Sequence, residues 1–207
     1  MRSIVWAAGL VAAAATVGSA QVRITEFMYS GVDGEFIEFT NLGDTAIDMT
    51  GWSFDDDSAL PGVFDLSGFG VIGAGESVIL TEIGADLFRA AWGLDAGVRI
   101  IGEYTNNLGR NDQINLFDAS GVLVDRLTFG DQNLPGSIRT QNVSGNPLAH
   151  SLGADDVFGW LLSEEGDAFG SYYSLNGDLA NPGRFVPTPG AGAVLVLGVG
   201  AGLRRRR

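Results

Sequence analysis

The chain has 207 residues, of which 45% are hydrophobic, with no cysteine, no lysine and one histidine. That length fits one domain with short accessory segments, and the composition excludes a disulfide scaffold, a thiolate or multi-histidine zinc site, a cysteine nucleophile and lysine Schiff-base chemistry. All 25 acidic residues lie between Glu26 and Asp178, and residues 21–185 contain seven of the 12 basic residues, all arginine, so residues 21–185 carry a net charge near −18. A protein region this acidic repels nucleic acid and suits cations or basic partners.

Residues 1–20 predict a secretory signal peptide. The basic start MRS is followed by an apolar run over residues 4–17 and then by the small residues GSA. A basic start, a short apolar core and small residues before the cleavage point are typical of such a peptide. We expect cleavage between Ala20 and Gln21, which leaves residues 21–185 as the folded body. An uncleaved membrane anchor is the alternative, and the short, alanine-rich run argues against it.

The body reads as a chain of short strands. Glycine contributes 31 of the 207 residues, about twice its usual ~7% share. Short β-branched and aromatic runs alternate with Gly, Asp and Asn clusters, which is typical of strands and turns. Eight such strands predict an all-β fold, a β-sandwich. The predicted strands are residues 22–29, 35–41, 46–49, 52–54, 77–81, 98–101, 113–117 and 122–129.

A hairpin, a helix and a core accompany these strands. The segment DASG at residues 118–121 predicts a hairpin turn, with glycine where a positive φ is required. Residues 86–92 form the one predicted helix, because apolar residues recur there at i,i+4 spacing. Trp52 follows a glycine, and we expect its ring to pack in the core and not against a cofactor. Alternation along the strands adds Ile37, Phe39, Ile47, Met49, Ile114 and Leu116 to the predicted core.

Six segments of these strands follow one another in a specific order. They are residues 22–28 (VRITEFM), 35–41 (EFIEFTN), 47–55 (IDMTGWSFD), 72–80 (IGAGESVIL), 112–118 (DQINLFD) and 124–130 (VDRLTFG). This series resembles a lamin tail domain over about residues 22–132, roughly half of the chain. Residues 160–163 (WLLS) and 181–183 (NPG) are similar to the way bacterial members of that family end. The resemblance implies an immunoglobulin-like β-sandwich.

Residues 186–207 have three parts. They are Val186, Pro187, Thr188 and Pro189, an apolar and glycine run at residues 190–203, and the arginines Arg204, Arg205, Arg206 and Arg207. As a helix the run would rise about 21 Å, less than the ~30 Å hydrocarbon core, and the arginines would stay on the cytoplasmic side.

This tripartite end resembles the PEP-CTERM sorting signal of bacteria, with Thr188 where that signal usually has glutamate. The resemblance implies an exosortase-type protease as partner and transient membrane insertion of the apolar helix. A plain C-terminal anchor is the alternative, and both interpretations leave the body outside the membrane.

Few residues form a catalytic pattern. His150 lies in a polar loop without a partner at an informative spacing, and the chain has no Gly-x-Ser-x-Gly motif. Glu26, Glu35 and Glu38 are candidates because paired carboxylates ~5–10 Å apart can hydrolyse glycosides, and the family pairs the strands of Glu26 and Glu38. We favour a hydrogen-bonding role for these acids. We therefore predict no catalytic residues, no cofactor and no enzymatic activity.

Consecutive acids are the candidates for a metal site. The runs are Asp55, Asp56 and Asp57, then residues 155–156 and 164–167. Carboxylate oxygens attract Ca²⁺, but consecutive aspartates alternate sides on an extended chain and lack the EF-hand spacing. A solvated loop is the favoured interpretation, and a weak calcium site at Asp55–Asp57 is the alternative.

The terminal segments, the sandwich and the missing catalytic pattern favour a non-enzymatic module at the cell surface or in the extracellular matrix. Extracellular polysaccharide or surface proteins are the expected partners. One alternative is a protein associated with a secreted hydrolase, but residues 132–185 are too few for a second, enzymatic fold. The other is nucleic-acid binding by analogy with nuclear lamin tails, and the charge near −18 argues against it.

Overall fold

Strands dominate the computed structural model of the protein, which describes residues 22–187. The strands in this part contain two to seven residues each. They are β1 (Val22–Met28), β2 (Phe36–Asn41), β3 (Ile47–Asp48), β4 (Ser53–Asp55), β5 (Phe64–Asp65), β6 (Val71–Ile72), β7 (Ser77–Thr81), β8 (Arg99–Ile101), β9 (Asp112–Phe117), β10 (Leu123–Phe129), β11 (Gly145–Pro147), β12 (Trp160–Leu162), β13 (Tyr172–Tyr173) and β14 (Leu179–Ala180), with the helix α1 (Ala85–Trp92) between β7 and β8.

Two sheets form a sandwich. One has six strands in the order β12-β11-β1-β2-β7-β8, and the other has four in the order β10-β9-β4-β5. Strands β7 and β8 run parallel, whereas the other neighbours in these two sheets are antiparallel. Two further pairs, β3–β6 and β13–β14, flank them. The predicted all-β, immunoglobulin-like sandwich is confirmed.

The main core fills the space between the two sheets. The Phe27 ring of β1 lies 4.6 Å from that of Phe129 in β10 and 5.4 Å from that of Trp160 in β12, measured between ring centroids. Burial of these rings removes apolar surface from water, which is the main force that holds the sheets together. The predictions for the core are confirmed at Ile37, Phe39, Met49, Trp52, Ile114 and Leu116, while Ile47 is only partly buried at its margin.

The six-stranded sheet is also covered on its outer face. Helix α1 packs Phe88 and Trp92 against Phe36 of β2, with ring centroids 5.3 and 6.1 Å apart. Tyr172 of β13 lies edge-on to Trp92 and donates a hydrogen bond from its hydroxyl to the Trp92 carbonyl at 3.1 Å. Because both faces are covered, polar side chains on this sheet are buried as well.

The hairpin and the helix lie where they are predicted. In the turn between β9 and β10, the Asp118 amide donates to the Val122 carbonyl at 2.9 Å and Gly121 has a φ of 75°. Helix α1 begins one residue before its predicted start. Each of the eight predicted strands corresponds to an observed strand within two residues at either end.

The main difference from the sequence prediction lies after residue 132, where no strand is predicted. There β11 pairs with β1 and β12 pairs with β11, so these two strands complete the six-stranded sheet. Strands of two or three residues show too little alternation to reveal a period of two. Within residues 22–187, no helix is long and apolar enough to cross a membrane. The predicted apolar helix at residues 190–203 lies outside the described residues.

Candidate functional site

A β-bulge in β1 places two polar side chains together on the outer face of the six-stranded sheet. Ile24 pairs with Phe39 and Glu26 with Glu38, so Thr25 is an extra residue on β1. A bulge interrupts the alternation of faces. Ile24 and Phe27 both reach the main core, and the outer face receives Thr25 and Glu26.

Glu38 receives hydrogen bonds on both of its carboxylate oxygens. Its Oε1 accepts from the hydroxyls of Thr25 at 2.7 Å and Thr40 at 3.3 Å. Its Oε2 accepts from the backbone amide of Gly183 at 2.8 Å. The Thr40 hydroxyl also lies 2.8 Å from that of Ser77 on β7. Glu38 thus joins three strands to the chain beyond β14.

Glu26 receives hydrogen bonds on one oxygen only. Its Oε1 accepts from the Ser144 hydroxyl at 2.5 Å and from the Asn181 amide at 2.8 Å. Its Oε2 is buried without a hydrogen-bond partner among the described residues. The Ser144 hydroxyl lies 2.7 Å from that of Ser163, which accepts from the Asn146 side-chain amide at 3.0 Å.

Both glutamates have 0% exposure, and this burial controls their ionisation. Burial raises the pKa of Glu38 to about 7, although the hydroxyl of Thr25 and the amide of Gly183 favour its charged form. Burial and the negative charge of Glu38 raise the pKa of Glu26 well above its usual value. We refer to Glu26, Glu38 and their hydroxyl and amide partners as the buried carboxylate layer.

The carboxylate layer fastens the end of the body to the sheet. Glu26 and Glu38 hold the amides of Asn181 and Gly183, and the Phe185 amide donates to the Ser77 hydroxyl at 3.2 Å. We call residues 181–185 the docked segment. The structure brings Glu26 and Glu38 together as expected, but no substrate reaches fully buried acids. Their geometry therefore supports the hydrogen-bonding role and not glycoside hydrolysis.

Glu35 lies in a different buried site. Its Oε1 accepts from the Tyr104 hydroxyl and from the Leu108 amide. Burial raises the pKa of Glu35 to about 8, and burial followed by the nearby charge of Glu35 raises the pKa of Tyr104 well above its usual value. These bonds tie the loop between β8 and β9 to the start of β2.

Comparison with known proteins identifies the domain. A family model of the lamin tail domain matches residues 15–131. The chain belongs to the lamin tail domain family. This is a non-catalytic, immunoglobulin-like fold family, which indicates a β-sandwich interaction module. A search of curated proteins finds no match to the chain. The docked segment and strands β11–β14 of this lamin tail domain all lie beyond the matched residues.

Asp55, Asp56 and Asp57 do not converge on one point in this lamin tail domain. Asp55 is buried, and its carboxylate accepts from the Ser58 hydroxyl at 2.5 Å, the Leu60 amide at 2.7 Å and the Asn106 side-chain amide at 3.1 Å. Hydrogen-bond donors thus occupy the oxygens that a cation would need. Residues 22–187 contain no group of three His, Cys, Asp or Glu side chains that could hold a metal ion. The solvated-loop interpretation is wrong for Asp55, which is buried at the end of β4. A calcium site, the alternative at these aspartates, stays a prediction without geometric support.

The remaining sequence predictions fall on the surface or outside the described residues. His150 is exposed, and the described part of the chain shows no hydrogen bond from it to a serine or an acid. Val186 is half-buried and Pro187 exposed. The predicted cleavage site at Ala20 and Gln21 lies outside the described residues, as do Thr188, Pro189, Arg204, Arg205, Arg206 and Arg207.

Sequence reasoning missed the residues that complete the carboxylate layer. Ser144, Ser163, Asn181 and Gly183 lie more than a hundred residues from the glutamates in sequence. Residues 160–163 and 181–183 resemble the end of family members, but that resemblance does not indicate that they contact Glu26 and Glu38. The polar side chains of such segments carry no signal for a distant partner. The break in alternation at Thr25 and Glu26 was the one available sign of a bulge.

Proposed function

We propose that this lamin tail domain protein is a non-enzymatic interaction module that is exported and sorted to the cell surface or extracellular matrix. Residues 1–20 direct its export, and residues 186–207 direct its sorting by an exosortase-type membrane protease. The sandwich is the part that meets partners outside the membrane. Support comes from the family, from the pattern of the two terminal segments and from the place where the folded body ends.

The end of the folded body carries this proposal. Among the described residues, the last hydrogen bond of the docked segment is that of the Phe185 amide, and Val186 and Pro187 begin the proposed sorting motif directly after it. A sorting protease needs an accessible motif that is attached to a folded domain. The carboxylate layer provides that arrangement because it fixes the chain up to residue 185 and leaves Pro187 exposed.

We expect the mature chain to begin at or near Gln21 and to lose the segment after about Pro189. The full chain would be produced in a bacterium that has an exosortase, and in the same strain without it, and the intact mass of the exported protein measured. Processing at the C-terminus should depend on the exosortase. A product that retains both Arg2 and the four terminal arginines in the first strain would contradict the prediction.

A pair of variants separates sorting from simple export. Replacement of Arg204, Arg205, Arg206 and Arg207 by serine should abolish C-terminal processing, because the positive charges that hold the tail at the cytoplasmic side are lost. The matched control is Arg184→Ser, since Arg184 is an exposed arginine just before the motif. That variant should be processed normally.

A further inference from the structure

Two buried acceptor oxygens in the carboxylate layer have no hydrogen-bond partner among the described residues. They are Oε2 of Glu26 and Oδ1 of Asn146, whose side chains are 0% and 1% exposed. Phe27 pairs with Gly145 in an antiparallel ladder, which places Glu26 and Asn146 directly opposite each other. The Cβ atoms of opposite residues are typically ~4.5–5.5 Å apart. Two partnerless acceptors on neighbouring strands in a dry interior are unfavourable, and either a proton on one of them or a turned Asn146 amide that donates to Glu26 would satisfy both.

We propose that Glu26 is a neutral carboxylic acid in the folded protein, that it donates its Oε2 proton to Asn146 Oδ1, and that this proton keeps residues 181–185 docked. One proton then satisfies both oxygens. The Oε1 atom keeps its bonds from Ser144 and the Asn181 amide, since the carbonyl oxygen of a neutral acid is still an acceptor. The proposal concerns the folded body alone and does not depend on export or sorting.

The neighbouring Glu38 is the member of the pair that ionises first, because its pKa is raised only to about 7. Both of its oxygens already accept hydrogen bonds, from Thr25, Thr40 and Gly183, and this arrangement suits a carboxylate. Glu26, with an oxygen free of donors, is the better place for the proton. Burial and the charge of Glu38 raise the pKa of Glu26 in the direction that retains it.

The titratable side chains that lie near Glu26 on the neighbouring elements are all negative or neutral. Glu38 lies on β2, Asp167 follows β12, and both raise the pKa of Glu26 through their negative charge. Tyr172 lies on β13, and its pKa is raised to about 12 by burial and then by Glu26 and Glu38. Loss of the Glu26 proton would thus place a second negative charge among acids. The Asn181 amide favours the charged form of Glu26, but burial has the larger effect, so release of the docked segment, which admits water to the two glutamates, would relieve the cost of the second charge.

Trypsin detects this release at Arg184, which lies in the docked segment with an exposed side chain. Native cleavage after Arg184 requires the Phe185 amide to leave Ser77. In the full chain, we expect cleavage of the wild type to speed up severalfold, relative to Glu26→Gln, as pH rises from about neutral to about 9. The side-chain amide that this substitution introduces donates to Asn146 at every pH, so the variant keeps the segment docked.

Comparison of variants at each pH removes the pH dependence of trypsin itself. Glu165→Gln changes an exposed glutamate and should behave as the wild type does. A ratio of wild-type to Glu26→Gln cleavage that stays constant across the pH range would overturn the proposal.

Infrared spectroscopy tests the proton directly, even where a variant is less stable. At neutral pH the wild type should show a protonated-carboxyl C=O band that Glu26→Gln removes. The difference between the two spectra separates this band from that of Glu35. Asn146→Ala removes the acceptor and should shift the same band. A difference spectrum without a protonated carboxyl would show that Glu26 is ionised and the proposal wrong.

Discussion

At the scale of single residues, Trp52 shows how a turn delivers a large ring to the core. Gly51 has a φ of 79°, which favours glycine, and its amide donates to the Ser67 hydroxyl at 2.8 Å. The Trp52 amide then donates to the Met49 carbonyl at 3.0 Å, and the Trp52 carbonyl accepts from Leu66 at 2.9 Å. The backbone on both sides of the ring is therefore fixed, and the side chain is only 4% exposed.

We expect Trp52→Ala to lower the free energy of unfolding by about 3–5 kcal/mol, because it leaves a large cavity in the core. Domain stability is typically only ~5–15 kcal/mol, so the variant should be marginally stable or unfolded. Thermal melts followed by circular dichroism measure the change. Tyr173→Ala truncates an aromatic residue that is 56% exposed and should melt close to the wild type. A Trp52→Ala midpoint within a degree or two of the wild type would contradict the packing.

For Glu26 and Glu38, the sequence predicts the hydrogen-bonding role but not the burial. Sequence reasoning placed Glu26 and Glu38 on paired strands and favoured hydrogen bonding, which the structure supports. It could not show that both are fully buried, because burial depends on α1 and on the docked segment, which cover the outer face of the sheet. The one-residue bulge at Thr25 shows in the sequence only as a break in strict alternation.

At the scale of elements, strands with clear alternation were predictable and short strands were not. Strand β7 (Ser77–Thr81) has the predicted bounds, and β9 and β10 differ from theirs by one residue. Strands β11 to β14 contain two or three residues each and include Gly145 and Pro147, which read as turn residues. Their pairing is set by contacts with β1 and with the carboxylate layer, and these are distant in sequence.

The sequence predicts helix α1 but not which of its apolar side chains are buried. Phe88 and Trp92 are buried against Phe36 and the end of the body, whereas Leu87 is 67% exposed. The i,i+4 spacing predicts the helix, but its two apolar pairs, Leu87 with Ala91 and Phe88 with Trp92, fit the pattern equally well. Contacts with the six-stranded sheet decide which pair is buried.

At the scale of the whole molecule, burial of acids makes the surface less negative than the net charge of the sequence suggests. The value near −18 counts every acid as ionised, yet seven acids of the body are buried. They are Glu26, Asp33, Glu35, Glu38, Asp55, Asp125 and Asp178. Burial raises the pKa of Glu35 to about 8 and, together with the charge of Glu38, raises the pKa of Glu26 well above its usual value. The surface therefore carries a smaller negative charge than the sequence indicates, and it remains acidic.

These shifts predict that the protein is more stable in mild acid than in base. The folded pKa values of Glu26, Glu35 (about 8) and Glu38 (about 7) lie above the unfolded value of 4.5. The folded state thus binds more protons than the unfolded state between about pH 4.5 and 8, and the free energy of unfolding falls as pH rises through this range. Each kcal/mol moves the midpoint by about 2–4 °C, so we expect a thermal midpoint several degrees higher at about pH 5 than at about pH 8.5.

A variant pair assigns this slope to buried acids. Glu35→Gln should reduce the fall in thermal midpoint between mild acid and base, because it removes one group that titrates in this range. Glu164→Gln changes an exposed glutamate and should leave the slope as it is. A midpoint that does not fall between pH 5 and pH 8.5 would show that the buried glutamates are ionised throughout this range. Below about pH 4 the free energy of unfolding should fall as pH falls. Hydrogen bonds lower the pKa of Asp48 and Asp65, and protonation of these acids removes that stabilisation.

The arginines of the body have local partners that limit contact with nucleic acid. Six of the seven donate hydrogen bonds to groups of the protein itself: Arg23, Arg89, Arg99, Arg110, Arg126 and Arg139. Arg110 and Asp131 form an ion pair at 2.6 Å, and Arg99 and Glu76 form another at 3.2 Å. No two of the seven are adjacent in sequence, and a basic stripe would need several together.

We therefore expect the body, residues 21–185, not to bind duplex DNA at about 0.15 M salt, because it has no cluster of arginines to displace counterions from the phosphates. A pull-down against duplex DNA and against an acidic polysaccharide, each with calcium and with chelator, measures both interactions.

Retention on the polysaccharide in calcium alone would support bridging by divalent cations, and Asp56→Asn with Asp57→Asn should then weaken it. Glu164→Gln with Glu165→Gln removes the same charge elsewhere on the surface and serves as the control. Salt-sensitive retention on DNA in chelator would overturn the charge argument, and no retention on the polysaccharide with calcium would exclude cation bridging.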